Sequence, residues 1–443
     1  MANWYRRVFL LAVPLILSNL TQPLLSTVDT VLSGHLPGAA ALGGVALGGI
    51  LFNAVFWTFG FLRMGTTGLV AQAHGAEDPG SMRLYFLRGL IIALLIGAVL
   101  VALRGPLIDV AITLLGASPA VRANALVYCQ IRMWAAPAAL ANYVILGFLL
   151  GRQHARTALL LQAAVNVVNV AVALWLVIGR HWGVAGIAAA TLSADCAGFV
   201  LGLGLIRWAW PRAEERLIGW RELADGEALR RLFALNRDLL LRTLSLVAAY
   251  GWFTRTGARA GDATLAANAV LLNLHWIATY ALDGFSNATE ALVGEAVGAR
   301  RVEDYRAVLR ASTVAAGTVA AGLSLFYVFA GAPLVGLFTN QAPVRLLALR
   351  YLPWAMALPL VSVWGYQLDG IFIGATRARE LRDSMAVAFA GFLALAVGLE
   401  RVMGNHGLWC AFCGFMVLRA VLLGWRLPGI EKYSFQPLGV CRR

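Results

Sequence analysis

The sequence predicts an all-α integral membrane protein with twelve membrane-spanning helices in two parallel six-helix repeats. Two observations indicate this fold. Apolar residues make up 60% of the 443 residues and charged residues only 13%, and apolar runs recur that match the roughly 20 residues needed to cross a bilayer. The chain also repeats itself: an offset of 223 positions places Gly34 on Gly257, Leu69 on Leu292 and Gly151 on Gly374.

The apolar runs define the predicted spans. Because six spans return the chain to its starting side, the two repeats run parallel about an axis normal to the membrane. Transporters use this arrangement, with a binding site between the repeats. The predicted limits are 8–34, 43–73, 84–103, 121–150, 156–179, 183–209, 232–258, 264–296, 306–330, 344–374, 384–400 and 407–426.

Basic residues orient the chain, because cytoplasmic loops retain Lys and Arg. With the N-terminus inside, 23 of the 36 basic residues fall on the cytoplasmic side and eight on the other. Both termini are therefore predicted to be cytoplasmic. The net charge of +14 is explained as a topology signal and an attraction to anionic lipids, and no basic cluster with interleaved aromatic residues indicates nucleic-acid binding.

Composition divides the chain into four segments. The substantial hydrophilic stretch 211–231 is predicted to be a cytoplasmic linker between a first six-helix lobe, 1–210, and a second, 232–427. Residues 428–443 are predicted to form a short cytoplasmic tail. The sequence shows no nucleotide-binding loop, metal-ligand cluster or nucleophile triad, so we expect no enzymatic activity and no cofactor, and an ion gradient as the energy source.

Asp29 is the clearest functional candidate. An acid at the centre of a membrane helix costs about 2.5–3.5 kcal/mol to insert and tends to face a wet cavity or a partner. Its counterpart in the second repeat is Trp252, so the duplication does not require an acid there, although a structural polar pair is the alternative. Pro14 can bend this helix, or form a static kink. One polar stripe of the helix comprises Ser18, Gln22, Ser26, Asp29 and Ser33.

Further polar residues of the first half could line the same cavity. Arg63 is a cation within the second span that needs an acidic partner, and Asp29 is the nearest candidate by topology. Asn166 and Asn169 on the fifth span, and Thr191 and Asp195 on the sixth, are spaced to share helical faces. Packing between helices is the alternative role for the amides.

The second half has its own acids. Asp283, Asn287 and Glu290 follow one face of the eighth span, and Tyr366 and Asp369 follow one face of the tenth. Uncompensated carboxylates that face one another would attract an organic cation or sodium. We therefore predict a second acidic site from Asp283, Glu290 and Asp369.

Several segments carry a family resemblance. The first span, PLILSNLTQPLLSTVDTVLSG (14–34), resembles the first helix of the multidrug and toxic compound extrusion (MATE) family. Three further segments resemble its DinF-like bacterial branch: FLRMGTTGLVAQAHGA (61–76), YALDGFSNATEALVGEAVGAR (280–300) and DGIFIGATRARELRDSM (369–385). The resemblance covers nearly the whole chain and implies two six-helix lobes that form a V.

The resemblance assigns roles to residues and shows one departure. Asp29 matches the family's coupling carboxylate for protons or sodium, Pro14 its bending proline, and Asn169 and Thr191 the polar residues beside it. The family pattern Asn-x-x-x-Asp here ends at Ala173, so the second acid is missing and Asp195 is a possible replacement. Asp369 matches an acid that relatives use for cations, which leaves a sodium site there open.

The resemblance implies a secondary active antiporter that exports organic cations or other xenobiotics in exchange for protons or sodium by alternating access. The alternative is a flippase for lipid-linked or polysaccharide intermediates, which would need a more cationic cavity. We expect a small amphipathic substrate, and a monomer in the bacterial inner membrane with the lipid bilayer as its surroundings.

Overall fold

The computed structural model describes residues 3–36, 38–114, 116, 118–209 and 219–435, except for the side chains of residues 22–26, 209 and 220. The elements of this part of the chain are helices, as the apolar runs predict. Helices suit a bilayer because each satisfies its own backbone hydrogen bonds where no water is available.

The helices of the first half are shorter and more often interrupted than those of the second. A π-helical turn, Trp175–Gly179, continues the eighth helix. The first-half helices are α1 (Trp4–Gly34), α2 (Ala39–Thr58), α3 (Phe61–Gly75), α4 (Pro79–Ala102), α5 (Arg104–Leu114), α6 (Pro119–Met133), α7 (Ala136–Gly151), α8 (Ala155–Leu174) and α9 (Gly183–Ala209).

The second half begins with a short linker helix and continues with six long helices. Several of them retain internal prolines, which membrane helices tolerate. These helices are α10 (Trp220–Leu223), α11 (Gly226–Arg259), α12 (Asp262–Gly298), α13 (Val302–Phe338), α14 (Ala342–Gly374), α15 (Ala378–Met403) and α16 (Asn405–Ser434).

The predicted fold class is confirmed, and the predicted count of twelve spans is roughly consistent with the helices. Within the described residues, nine helices are long and apolar enough to cross a membrane, and the bent pair α6 and α7 makes a tenth. Among these nine, α2 and α3 together form one span, Ala39–Gly75. The remaining two predicted spans correspond to α1 and α11.

The chain folds into two compact units, which are described separately below. The first-lobe unit comprises Leu17–Val70 and Asp78–Arg230, and the second-lobe unit comprises Met1–Ile16, Ala71–Glu77 and Arg231–Arg443. The start of α1 therefore groups with the second lobe, where an added Cβ at Gly284 of α12 would lie 2.3 Å from Ile16 Cγ1. The lobe limits 1–210 and 232–427 stay a prediction.

The linker and the C-terminus differ from simple loops. Of the predicted linker, residues 211–218 lie outside the described residues, whereas α10 is tied to the first-lobe unit because the buried Arg88 donates to the carbonyls of Glu222 and Leu223. At the C-terminus, α16 continues beyond the predicted limit at 427, and the ion pair Arg306–Glu431 (2.6 Å) connects its last turns to α13.

Candidate functional site

Asp29 lies in the first-lobe unit at a point where it is almost excluded from solvent. Its exposed fraction is 8%. Its Oδ2 atom accepts a hydrogen bond from the hydroxyl of Tyr128 on α6 at 3.5 Å, the long limit for such a bond. Arg132, one turn further along α6, donates from Nη1 to the same hydroxyl at 2.6 Å. The Tyr128 hydroxyl therefore connects the Arg132 guanidinium to the Asp29 carboxylate.

Arg132 lies at the end of α6, directly before the sharp bend in the membrane span. The axes of α6 and α7 differ by 54°, and Pro137 stands in the first turn of α7, where its missing amide hydrogen prevents the helix from continuing straight. The Arg132 guanidinium lies 4.9 Å from the ring centre of Phe52 on α2. Such cation–π contacts partly replace the hydration that a cation loses when it is buried.

Two of the predicted polar residues of α8 and α9 contact each other, and a third contacts α1. The Asn169 amide donates to the Thr191 hydroxyl at 3.2 Å, and both residues are buried. The Asn166 amide donates to the carbonyl of Thr21 on α1 at 3.4 Å. Ala173, which stands where the family pattern has an acid, is fully buried. Asn169 and Thr191 therefore form a buried amide–hydroxyl pair between α8 and α9, and Asn166 connects α8 to α1, the helix that carries Asp29.

Asp195 stands on α9, one turn after Thr191. The charge of Arg132 acts on the carboxylates of both Asp29 and Asp195. The backbone carbonyl of Asp195 accepts from the amide of Asn142 at 2.9 Å, which fixes α9 against α7. That Asp195 compensates for the missing acid at position 173 stays a prediction.

Three buried oxygens of these residues have no hydrogen-bond partner among the described residues: Asp29 Oδ1, Asn166 Oδ1 and Asn169 Oδ1. Buried oxygens are normally satisfied, and each exception is a place where a proton or water can bind. At Asp29 the two oxygens differ, because Oδ2 faces Tyr128 while Oδ1 remains open.

Other predicted residues of the first half occupy the following places. α1 continues through Pro14 without a break. The side chains of Gln22 and Ser26 lie outside the described residues. Arg63 is half-buried and its charge acts on the phenol of Tyr143.

Asp369 lies in the second-lobe unit within a buried ion triad. Its Oδ2 atom accepts from Arg242 of α11 and from Arg419 of α16, so the triad joins three helices. The exposed fractions are 3% for Asp369, 6% for Arg242 and 0% for Arg419. The hypothesis of an uncompensated carboxylate is therefore wrong for Asp369. Two guanidinium groups in direct contact with the same carboxylate also disfavour a sodium ion there.

The other predicted residues of the second half surround this triad or lie along α12. Tyr366 shares a hydrogen bond with the Thr279 hydroxyl (3.0 Å), and its ring lies beneath Arg419. Glu290 is buried on α12, whereas Asp283 and Asn287 are half-buried. Asp283 acts electrostatically on Tyr366.

Sequence reasoning missed four residues of these sites: Tyr128, Arg132, Arg242 and Arg419. A signal was available, because each of the three arginines stands within a predicted span, where a cation requires a partner. Tyr128 and Arg132 also stand four residues apart, on one helical face. Among the described residues, no group of three or more His, Cys, Asp or Glu side chains could hold a metal ion.

The many long apolar helices define a multi-pass membrane protein with charged clusters buried inside it. A family model described as MatE matches residues 14–175 and 246–400. The chain thus belongs to the MATE family. Its likeness to the DinF-like branch is confirmed by "DNA damage-inducible protein F" of Escherichia coli (strain K12), which is 44% identical over 426 residues. The match covers 94% of this chain and 91% of the relative.

Two further comparisons agree. "Probable multidrug resistance protein NorM" of Rhizobium meliloti (strain 1021) is 29% identical and covers 95% of this chain and 92% of its own length. A solved structure, "Crystal structure of MATE in the bent conformation", matches with a TM-score of 0.86 at 20% identity and covers 98% of both chains. As a MATE-family member, the chain is a multidrug and toxic compound efflux transporter and not an enzyme.

Proposed function

We propose that this protein is an antiporter that exports amphipathic organic cations or related xenobiotics across the inner membrane in exchange for protons. The observation that carries the proposal is Asp29, a buried carboxyl with one oxygen near Tyr128 and the other without a partner among the described residues. The protein works as a monomer with both termini in the cytoplasm.

The coupling step is protonation of Asp29. A buried site favours the neutral carboxylic acid, whereas contact with water or with the Arg132 charge favours the carboxylate. A cavity that opens to one side and then to the other therefore loads and releases a proton on opposite faces of the membrane. A membrane potential adds about 2.3 kcal/mol per charge for each 100 mV.

Sodium is the less favourable coupling ion for the described residues. Hard cations bind several oxygen ligands at once, and the first-lobe site has lost one carboxylate at Ala173. Arginines already interact with Asp29, Asp195 and Asp369. A proton needs only one oxygen, so it can bind where a sodium ion lacks ligands.

The experiment is transport in proteoliposomes with imposed gradients. Purified protein is reconstituted with a fluorescent organic cation inside, and a proton or a sodium gradient is applied separately. We expect efflux with the proton gradient, and loss of that efflux in Asp29→Asn. The matched control is Asp109→Asn, which neutralises an exposed acid of α5.

The possible outcomes separate the functions. Efflux by Asp29→Asn at the rate of the unmodified protein contradicts the proposal. Efflux driven by the sodium gradient alone would show that the coupling ion is sodium and not the proton. Movement of lipid-linked substrates without either gradient indicates the flippase.

A further inference from the structure

Two helices cross at a pair of glycines on the side of the protein that carries the N-terminus. The crossing lies within the second-lobe unit, which contains the end of α3 and the whole of α12. A Cβ added to Gly75 of α3 would lie 2.0 Å from the carbonyl oxygen of Glu295. A Cβ added to Gly298 of α12 would lie 1.9 Å from the carbonyl oxygen of Gln72. A side chain does not fit at such distances, so the crossing requires glycine on both helices.

The crossing is reciprocal because the two helix ends are copies of each other. The 223-residue offset places Gly75 on Gly298 and Gln72 on Glu295. Each glycine therefore packs against the carbonyl of the residue three positions before the other glycine. Small residues allow membrane helices to approach until their backbones are in contact, and here both copies provide one.

The side chain of Gln72 fastens this crossing to a third helix. Its Nε2 group donates to the carbonyl of Gly374 at 2.9 Å and to the hydroxyl of Thr376 at 3.1 Å. Gly374 is the last residue of α14, and the last carbonyls of a helix have no partner within the helix. Gln72 therefore caps α14 from the end of α3.

The repeat counterpart of Gln72 makes a different contact. A carboxylate cannot donate to a carbonyl, and Glu295 instead accepts from Nη2 of Arg7 on α1 at 2.7 Å. Nearby, the ring of Phe9 on α1 lies edge-on to Phe285 of α12 at 5.6 Å. The side chains of Arg7 and Glu295 are 33% and 18% exposed, so water can replace either partner when the pair separates.

These contacts hold two helices that are each divided between the units. The second-lobe unit contains α1 up to Ile16 and α3 from Ala71, whereas the first-lobe unit contains the rest of both helices. A transporter that works by alternating access opens on each side of the membrane in turn. Opening on the side of the N-terminus therefore requires contacts that can break and form again at low cost, as partly exposed polar contacts do.

We propose that the Arg7–Glu295 ion pair and the Gln72 cap form a latch over the Gly75–Gly298 crossing. The latch keeps the predicted cytoplasmic side closed and separates once in each transport cycle. The glycines allow the close approach, and the polar side chains set the balance between the closed and the open state. This inference goes beyond the proposed function, because it does not depend on which ion drives export.

The first test is a reversible cross-link across the latch. In a protein whose five cysteines are replaced by alanine, Arg7→Cys and Glu295→Cys are joined by a short bifunctional methanethiosulfonate. We expect efflux before cross-linking, loss of efflux when the latch is linked, and recovery when a reductant cleaves the linker. A latch that is held closed cannot open the cytoplasmic side, so the substrate cannot enter.

The matched control is the other ion pair at this end of the second-lobe unit. Arg306 of α13 and Glu431 of α16 lie 2.6 Å apart and are also partly exposed, but neither belongs to α1 or α3. Cross-linking Arg306→Cys with Glu431→Cys should leave efflux unchanged. Loss of efflux in both linked proteins would show that the linker inhibits the protein in a non-specific way and would overturn the inference.

The second test measures the latch without transport. Spin labels are placed in the cysteine-free protein at the exposed positions Ala76 and Arg300, which follow α3 and α12. Glu295→Gln should increase the population with weak dipolar coupling by about 1.4- to 5-fold, the factor that corresponds to the roughly 0.2–1 kcal/mol of a partly exposed ion pair. Glu303→Gln, at an exposed acid of α13, should not change it.

A charge exchange separates the ion pair from a merely structural role. Arg7→Glu places two carboxylates together and should increase the weakly coupled population further, whereas Arg7→Glu with Glu295→Arg should restore the distribution of the unmodified protein. A loss of folding would not be reversed in this way.

The remaining outcomes are decisive. Full efflux by the linked Arg7→Cys, Glu295→Cys protein would show that this crossing does not open. A reagent that links the control pair but not this pair would contradict the contact itself. If the double cysteine variant does not fold, the spin labels decide, and unchanged coupling in Glu295→Gln overturns the inference. If Asp29→Asn still exports, the proposed function fails while both tests of the latch keep their meaning.

Discussion

The ion triad around Asp369 makes a quantitative prediction about stability. Asp369→Asn removes the negative charge and leaves Arg242 and Arg419 facing each other in a buried site. Breaking a buried ion pair by removing one partner typically costs about 3–5 kcal/mol. Because both arginines are at most 6% exposed, water cannot compensate for this loss. We expect a cost in that range, or a factor of roughly 10² to 10⁴ in the ratio of folded to unfolded protein.

The assay is unfolding of detergent-purified protein by increasing sodium dodecyl sulfate, followed by tryptophan fluorescence. Glu431→Gln is the control, because it breaks the surface ion pair with Arg306 and should change stability little. A triple variant, Asp369→Leu with Arg242→Met and Arg419→Met, should be close to the unmodified protein, since apolar groups of similar volume can replace a buried ion triad. Equal stability of Asp369→Asn and the unmodified protein would refute this reasoning.

Three further predictions concern other parts of the chain. Asp78 accepts hydrogen bonds from the side chain and backbone of Ser81, and these bonds lower the pKa of Asp78. Asp78→Ala should lower the free energy of unfolding by about 1 kcal/mol at neutral pH, as for other helix caps. This difference, measured by unfolding at several pH values, should disappear as the pH falls through the lowered pKa of Asp78. Gly370→Leu should destabilise the protein by about 1–3 kcal/mol or more, the cost of overpacking a core, because an added Cβ would lie 2.3 Å from the Ser286 carbonyl oxygen. A yield of folded protein equal to that of the unmodified protein would contradict this packing. Ala173→Asp should restore a paired-acid site and add a sodium response to efflux, and an unchanged ion dependence would show that position 173 does not line the site.

The membrane spans could be predicted from the sequence because the bilayer fixes their length and composition. Each predicted span has a counterpart, and even the broken pair α6 and α7 corresponds to a single predicted span, 121–150. The extension of α16 past residue 427 and the attachment of α10 could not be predicted. They depend on contacts such as Arg88 with Glu222, which lie 134 residues apart in the sequence.

The candidate site was only partly predictable for the same reason. Asp29 could be identified because a buried acid is costly wherever it stands in a span. The two arginines that compensate Asp369 could not be predicted, since they lie 127 and 50 residues away in the sequence and only the fold brings them together. The link between Arg132 and Asp29 was also hidden, because Tyr128, which contacts both, lies 99 residues from Asp29 in the sequence.

The most direct test of the account is a measurement of proton movement during export. Proteoliposomes containing a trapped pH-sensitive dye are given a substrate gradient and no imposed ion gradient, so that proton movement must be driven by the substrate. The account predicts proton flux opposite to the substrate in the unmodified protein and in Asp109→Asn, and none in Asp29→Asn. Substrate movement without proton flux in the unmodified protein, or equal proton flux in Asp29→Asn, would contradict it.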